Sequence, residues 1–237
     1  MAGQRLMGAE RDQFLQRVRQ AVADGNRAGG APPLPSRGAV GYQGAGADAV
    51  ARFRDEFAAA GGFAHVVADP SAAADVVMGL LRERSVRRVL LGRGAVLDAL
   101  DLPGRLSAAS IEAVDVSSPP EGGREAVFAA EAGVSGVDYL VAETGSIALL
   151  SRPDQPRSLS LLPPVHVAVA DRRQLLPDLF DLFEERLWAE KRGMPSCLSL
   201  ITGPSKTGDI ELRLVTGVHG PGEVHVVLID GPAVPAE

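Results

Sequence analysis

The sequence has little cysteine and little lysine: one cysteine, Cys197, and two lysines among 237 residues. One thiol cannot form a disulfide within the chain, and it cannot alone hold an iron–sulfur cluster or a structural zinc, which take about four ligands. The four histidines are dispersed, without the spacing of a metal site. We therefore expect this chain to hold no metal and no other cofactor.

The chain also lacks an excess of basic residues and long apolar runs. Lysine and arginine number 24 against 30 acidic residues, which gives a net charge of −6. Such a charge supplies no field for nucleic acid or for an anionic membrane surface. No uncharged run reaches the roughly 18 apolar residues of a membrane span, and the first residues lack a signal-peptide core. We expect a cytoplasmic protein with no membrane span and no nucleic-acid partner.

The N-terminal part differs in pattern from the rest of the chain. Between Glu10 and Asp24, apolar residues recur at helical spacing, which predicts an amphipathic helix. Gly25 to Gly46 concentrates glycine and proline without apolar periodicity, which is typical of a linker. The sequence therefore predicts a helical arm and linker over 1–46, followed by a domain over 47–237. The arm docks either on its own domain or on a partner.

From Ala47 onward, helical stretches alternate with short apolar, β-branched runs. This alternation is typical of an α/β fold in which helices cover both faces of a mostly parallel sheet. Helices are predicted at Ala47–Ala60, Ser71–Arg84, Gly94–Leu100, Gly123–Ala132 and Leu175–Lys191. Strands are predicted at Phe63–Val67, Val86–Leu91, Ile111–Val116, Tyr139–Ala142, Ser146–Leu150, Val165–Ala170, Leu198–Thr202 and Val224–Ile229.

One candidate site is the segment Glu143-Thr144-Gly145-Ser146, which lies between two predicted strands. A Thr-Gly pair at this spacing can simply form a tight hairpin. Alternatively, the carboxylate of Glu143 and the hydroxyls of Thr144 and Ser146 stand at a strand end, where open α/β sheets bind ligands. Both interpretations remain open from the residues alone.

The richest constellation follows the predicted strand Leu198–Thr202 and runs from Gly203 to Glu211. Glycines permit close approach of the backbone, hydroxyls donate hydrogen bonds, and a lysine supplies a point charge, so the segment suits a phosphate or a carboxylate. It does not have the spacing of a Walker A loop. The alternative makes Thr207 a helix N-cap with two acids in the first turn. The candidate ligand-binding residues here are Gly203, Pro204, Ser205, Lys206, Thr207, Asp209 and Glu211.

A glycine-rich turn over 217–222 carries His219, a candidate proton donor or ligand-binding imidazole. His225 lies inside the last predicted strand and His166 follows two prolines, so both are interpreted as packed histidines. We expect one cleft, lined by Glu143 to Ser146 and Ser205 to Glu211, that binds a small anion. This expectation assumes that the preceding strands are parallel neighbours, whose carboxyl ends open on one side of a sheet.

In these motifs the chain resembles the LUD-domain family, and within it the lactate-utilisation protein C type. The resemblance is carried by the Gly203–Glu211 run followed by Gly217-Val218-His219-Gly220-Pro221 and the last strand. It continues in Glu143–Ser146, in Leu161–His166 and in the arginine-bearing N-terminal helix. The two C-terminal motifs in this order are specific, and the likeness spans most of the chain.

The resemblance implies a three-layer fold similar to the NagB/RpiA/CoA-transferase superfamily. It also implies a role in bacterial oxidation of L-lactate to pyruvate, beside two iron–sulfur partner proteins. In that arrangement the partners carry the clusters, which agrees with the lone Cys197. This chain would be a subunit without its own redox centre that binds a small anionic ligand, assembles the complex or positions the substrate.

The superfamily also implies two enzyme alternatives. Glu143-Thr144-Gly145 is similar to the Glu-Asn-Gly of CoA-transferases, so Glu143 would be a catalytic nucleophile that attacks an acyl-CoA, although Thr144 replaces the asparagine. In a sugar-phosphate isomerase-like protein, Lys206 and Thr207 would bind the phosphate, and Asp209 or Glu211 would act as the base.

Overall fold

The computed structural model describes residues 2–25, 44–116, 123–153, 155–183, 196–208 and 215–231. The chain divides into two compact units, 1–42 and 43–237, and each is described here by itself. Most of the predicted linker lies outside the described residues. Among the residues that are described, no helix is both long and apolar enough to cross a membrane.

The described part of the first unit is one helix, α1 (Ala2–Gly25), which contains the predicted Glu10–Asp24 helix. The side chains described in α1 are exposed, and they include the apolar Phe14, Val18 and Val22. An apolar stripe at helical spacing is therefore accessible on the arm.

The centre of the second unit is a six-stranded sheet whose paired neighbours are all parallel, in the order β1-β12-β7-β4-β2-β3. Its central strand β7 is buried at all seven positions, as expected for a parallel strand covered on both faces. The mostly parallel sheet is therefore confirmed. The strands are β1 (Phe63–Val67), β2 (Arg88–Leu91), β3 (Glu112–Asp115), β4 (Ala132–Gly136), β7 (Val165–Asp171) and β12 (Glu223–Ile229).

Six α-helices are described in the second unit: α2 (Ala49–Ala59), α3 (Pro70–Glu83), α4 (Ala95–Asp98), α5 (Leu102–Ala108), α6 (Gly123–Phe128) and α7 (Ser158–Leu161). Asp48 starts α2, because its carboxylate accepts hydrogen bonds from the amides of Val50 and Ala51. Asp69 caps α3 in the same way, and Pro70 occupies the first helical position, where its missing N–H costs nothing.

Helices cover both faces of the six-stranded sheet. Val77 and Leu81 of α3 pack on one face, in a core cluster that includes Val167. Phe53 and Phe57 of α2 pack on the other face, in a second cluster. The chain therefore has the predicted α/β fold.

A second, four-stranded sheet stands apart in the order β8-β5-β6-β9. Strands β5 and β6 form an antiparallel hairpin, β9 pairs antiparallel with β6, and β8 pairs parallel with β5. A short ribbon of β10 and β11 is also antiparallel. The strands are β5 (Tyr139–Val141), β6 (Ser146–Leu150), β8 (Leu175–Leu176), β9 (Leu198–Ile201), β10 (Lys206–Thr207) and β11 (Val215–Thr216).

The predicted helix Gly123–Ala132 is wrong at its end, because α6 stops at Phe128 and Ala132 begins strand β4. This strand has small residues because α7 lies directly against it. A Cβ at Gly133 would come within 2.0 Å of the Leu159 carbonyl oxygen. Small side chains hid the strand from a search for β-branched runs.

The predicted helix Leu175–Lys191 is wrong at its start. Leu175 and Leu176 form β8 beside β5, and Pro177 cannot donate a backbone hydrogen bond. Residues 179–183 are helical after Asp178, whose carboxylate accepts from the Asp181 amide at 3.0 Å. The stretch 184–195, with Lys191, lies outside the described residues.

Candidate functional site

The Glu143–Ser146 segment is the turn of the β5–β6 hairpin, so the hairpin interpretation is confirmed. Gly145 has a φ of +60°, and a Cβ there would lie 2.4 Å from the Phe57 amide nitrogen of α2. Both the left-handed backbone and the close approach require glycine at this position. The turn is thereby held against the C-terminal half of α2.

Three hydroxyls from the two predicted motif regions form a continuous chain of hydrogen bonds. Ser146 Oγ lies 2.8 Å from Thr144 Oγ1 and 2.7 Å from Thr202 Oγ1. Ser146 is only 4% exposed, whereas Thr202 is open to solvent. We call Thr144, Ser146 and Thr202 the hydroxyl cluster. Each hydroxyl can rotate to donate outward to an acceptor that enters the site.

The loop after β9 closes on the C-terminal end of α2. Gly203 has a φ of +78°, and a Cβ there would lie 2.6 Å from the Ala60 carbonyl oxygen. Lys206 Nζ donates to that same oxygen at 2.5 Å. The ammonium therefore sits at the negative end of the helix dipole, and its side chain is exposed.

Backbone hydrogen bonds tie this loop to the turn that carries His219. The Ser205 amide donates to the Pro221 carbonyl at 2.9 Å, and the Ser205 carbonyl accepts from the Gly217 amide at 2.9 Å. His219 itself is exposed in this turn. The turn thus supports the position of Ser205, and a ligand role for His219 stays a prediction.

The site lies at a different edge of the fold from the one expected. The strands that precede the two motifs belong to the four-stranded sheet, and β6 and β9 are antiparallel, so the premise of parallel neighbours is wrong. Lys206 binds Ala60, shortly before β1, and Ser205 binds Pro221, shortly before β12. The motifs therefore meet beside the amino ends of these two parallel strands.

The N-cap interpretation of Thr207 is wrong, because Thr207 lies in β10 and pairs with Val215. Asp209 and Glu211 lie outside the described residues. Pro204 and Thr207 are partly buried in the loop. Glu143 is half-buried, with its amide bound to the Pro177 carbonyl at 3.0 Å, and its role as a nucleophile stays a prediction.

Thr202 is the member of the hydroxyl cluster to which the sequence assigned no role. A strand-terminal threonine carries no signal of its own, and its part depends on the antiparallel pairing of β6 with β9. The carbonyl end of α2 was missed for the same reason. Only the folded chain brings Ala60 to Lys206, which is 146 positions away.

A second polar cluster involves the histidines of β1 and β12. His65 Nε2 lies 3.0 Å from His225 Nδ1, and His225 Nε2 lies 2.6 Å from Glu223 Oε1. Arg84 Nε donates to the same Glu223 oxygen at 2.8 Å. The Arg84 hydrogen bond lowers the pKa of Glu223, and burial lowers the pKa of both histidines.

His166 is fully buried, and its Nε2 lies 2.9 Å from Ser135 Oγ. Burial lowers the pKa of His166 to about 4, so the ring is neutral at pH 7. The interpretation of His166 and His225 as packed histidines is confirmed, since His225 is only 2% exposed. Within the described ranges, no three His, Cys, Asp or Glu side chains are placed to hold a metal ion.

The fold and the motifs define a LUD-domain protein. Residues 50–229 match the LUD domain, and the chain belongs to this family. A solved structure, of a DUF162 family protein from Deinococcus radiodurans, is 22% identical with a TM-score of 0.56 and covers 76% of this chain and 96% of its own. That likeness supports the fold.

Two relatives carry a functional name. The chain is 34% identical over 155 residues to lactate utilization protein C of Halalkalibacterium halodurans, an alignment that covers 64% of this chain and 66% of the relative. It is 35% identical over 115 residues to lactate utilization protein C of an Exiguobacterium species, covering 48% and 50%. The aligned part thus spans about half to two thirds of these relatives.

Proposed function

We propose that this chain takes part in bacterial oxidation of L-lactate to pyruvate as a lactate-utilization protein C-like subunit, and that it binds a small anion at the hydroxyl cluster. The names of the relatives support the pathway. The observation that carries the binding site is the 2.7 Å contact between Ser146 and Thr202, which joins two distant motifs beside Lys206.

The chemistry of the site suits a carboxylate or a phosphate. Hydroxyls of the cluster donate to the anion's oxygens, and Lys206 turns from the Ala60 carbonyl to supply a charge. Gly145 and Gly203 hold both loops against α2, so the donors are positioned before the ligand arrives. Ser205 and Thr207 stand on either side of Lys206 and add further hydroxyls.

The proposed partners are iron–sulfur proteins. Oxidation of lactate releases two electrons, and one cysteine cannot hold a cluster that would accept them. The electrons would therefore pass to partner subunits, while this chain binds the ligand, positions the substrate or organises the complex.

Genetic complementation tests the pathway. In a bacterium that lacks its own lactate utilization protein C, this chain should restore growth on L-lactate, and the tagged chain should purify together with iron–sulfur proteins. Ser146→Ala should impair growth, whereas Ser107→Ala, a matched change at an exposed serine of α5, should not. Growth that is equally strong with Ser146→Ala, or no restoration by the parent chain, would contradict the proposal.

A further inference from the structure

A small polar cavity lies at the carboxyl end of β4, away from the hydroxyl cluster. Its walls come from β4, β6, β9 and α7, and its polar lining is Ser135, Asp138, Gln155, Arg157, Ser160 and Ser199. The enclosed space is about 10 Å³, which is the room one water-sized group needs. Ligands of open α/β sheets bind outside the carboxyl ends of the strands, where this cavity lies.

The buried Ser135–His166 pair shows what the cavity lacks. His166 Nδ1 is buried and has no hydrogen-bond partner among the described residues. A neutral ring carries one N–H, and a buried N–H without an acceptor is rare, so the proton is on Nε2. His166 then donates to Ser135 Oγ across 2.9 Å.

Ser135 consequently has a hydroxyl proton to donate elsewhere. The side chain is 1% exposed, and within the described part of the chain its hydrogen-bond partner is His166. Because Ser135 lines the cavity, that proton has an acceptor only if an oxygen enters there. A buried hydroxyl without an acceptor is unfavourable.

Charge decides the kind of acceptor. Arg157 lines the cavity, and its guanidinium lies 3.8 Å from Cys197 Sγ, with no carboxylate paired to it among the described residues. The negative Asp138 is held by Arg152 and by the Leu150 amide, which donates at 2.7 Å. The cavity therefore has one compensated acid and one available cation.

We propose that this cavity is a second ligand site, which takes one carboxylate oxygen of a small organic acid. That oxygen accepts from Ser135, while the other oxygen remains at the mouth and pairs with Arg157. The enclosed volume admits a single oxygen, so the body of the acid stays outside. This site goes beyond the proposed function and does not depend on the hydroxyl cluster.

Histidine NMR with acetate as the probe tests the site in the full chain. In the ¹⁵N spectrum, His166 should be the Nε2–H tautomer, and its signals should move as acetate is added. Arg157→Gln changes an exposed side chain and should raise the acetate concentration needed for half the shift about tenfold. Ser135→Ala should abolish the shift, and Arg87→Gln, a matched loss of charge elsewhere, should not alter it.

Two outcomes would overturn the second site. One is a His166 signal that does not move up to about 0.1 M acetate, a hundred times a millimolar dissociation constant. The other is a shift that survives Arg157→Gln unchanged but disappears in Ser146→Ala, since the response would then come from the hydroxyl cluster. If Ser135→Ala does not fold, Arg157→Gln alone decides.

Discussion

His65 Nε2 lies 3.0 Å from His225 Nδ1, and this contact fixes proton positions along a chain that ends at Glu223. The Glu223 carboxylate can only accept, so His225 must donate to it from Nε2. Neutral His225 then accepts at Nδ1, and His65 must donate from Nε2. The available lone pair of the chain is therefore on His65 Nδ1.

The first prediction is that both rings are Nε2–H tautomers at pH 7.5. Nitrogen-15 NMR of the imidazoles reads the tautomers directly. Glu223→Gln should change the His225 signals most, because it replaces the charged acceptor. A His225 ring protonated on Nδ1 would refute the proposed order of donors.

The second prediction concerns pH. The folded-state pKa of His166 is about 4, below the 6.5 of an unfolded chain, so the unfolded state binds the extra proton first as pH falls. This contribution to stability is complete above pH 6.5 and is lost progressively between there and pH 4. From pH 7 to pH 5 the loss should be about 2 kcal/mol.

Urea unfolding at both pH values measures this loss. The variant His166→Leu should remove about 2 kcal/mol of the pH dependence, while His219→Gln, at an exposed histidine, should leave it as in the parent. His65 and His225 also have lowered pKa values and add to the loss in the same direction. An unaltered pH dependence in His166→Leu would contradict the assignment.

The third prediction is that Gly145→Ala destabilises the protein by about 2 kcal/mol or more, because it combines a left-handed backbone with a Cβ 2.4 Å from the Phe57 nitrogen. Gly208→Ala is a matched control, since nothing lies within 4 Å of a Cβ there. Urea unfolding compares the two. Equal stabilities would show that the turn is not held against α2.

Several parts of this fold follow from sequence because the local signal and the folded environment agree. The strand Ser146–Leu150 has its predicted bounds, since β-propensity and flanking turn residues coincide there. Strand β4 does not follow, because its Ala and Gly residues answer to the backbone of α7 and not to strand propensity.

The candidate site is predictable in its residues but not in its arrangement. Sequence chemistry selected Ser146 and Lys206 by their glycine-rich, hydroxyl-rich surroundings. No local pattern reveals that β9 pairs antiparallel with β6, which is what brings Thr202 to Ser146. Long-range pairing depends on the whole chain and leaves no mark in a short window.

The fourth prediction concerns the arm. Deletion of residues 1–25 should leave the unit 43–237 with a single cooperative unfolding transition, because the two units are separately compact. Copurification with partner proteins should weaken, since the deletion removes the exposed Phe14, Val18 and Val22. Loss of cooperative unfolding would show that the arm belongs to the domain core.

Titration calorimetry of L-lactate, pyruvate and phosphate tests the proposed anion site most directly. For the ligand that the parent binds, Lys206→Ala and Ser146→Ala should each weaken affinity about tenfold to a hundredfold, because each removes a donor to a charged acceptor. Arg87→Ala, which removes a charge from a side chain that is 88% exposed, should bind like the parent. Unchanged affinity in both site variants for every ligand that the parent binds would contradict the account.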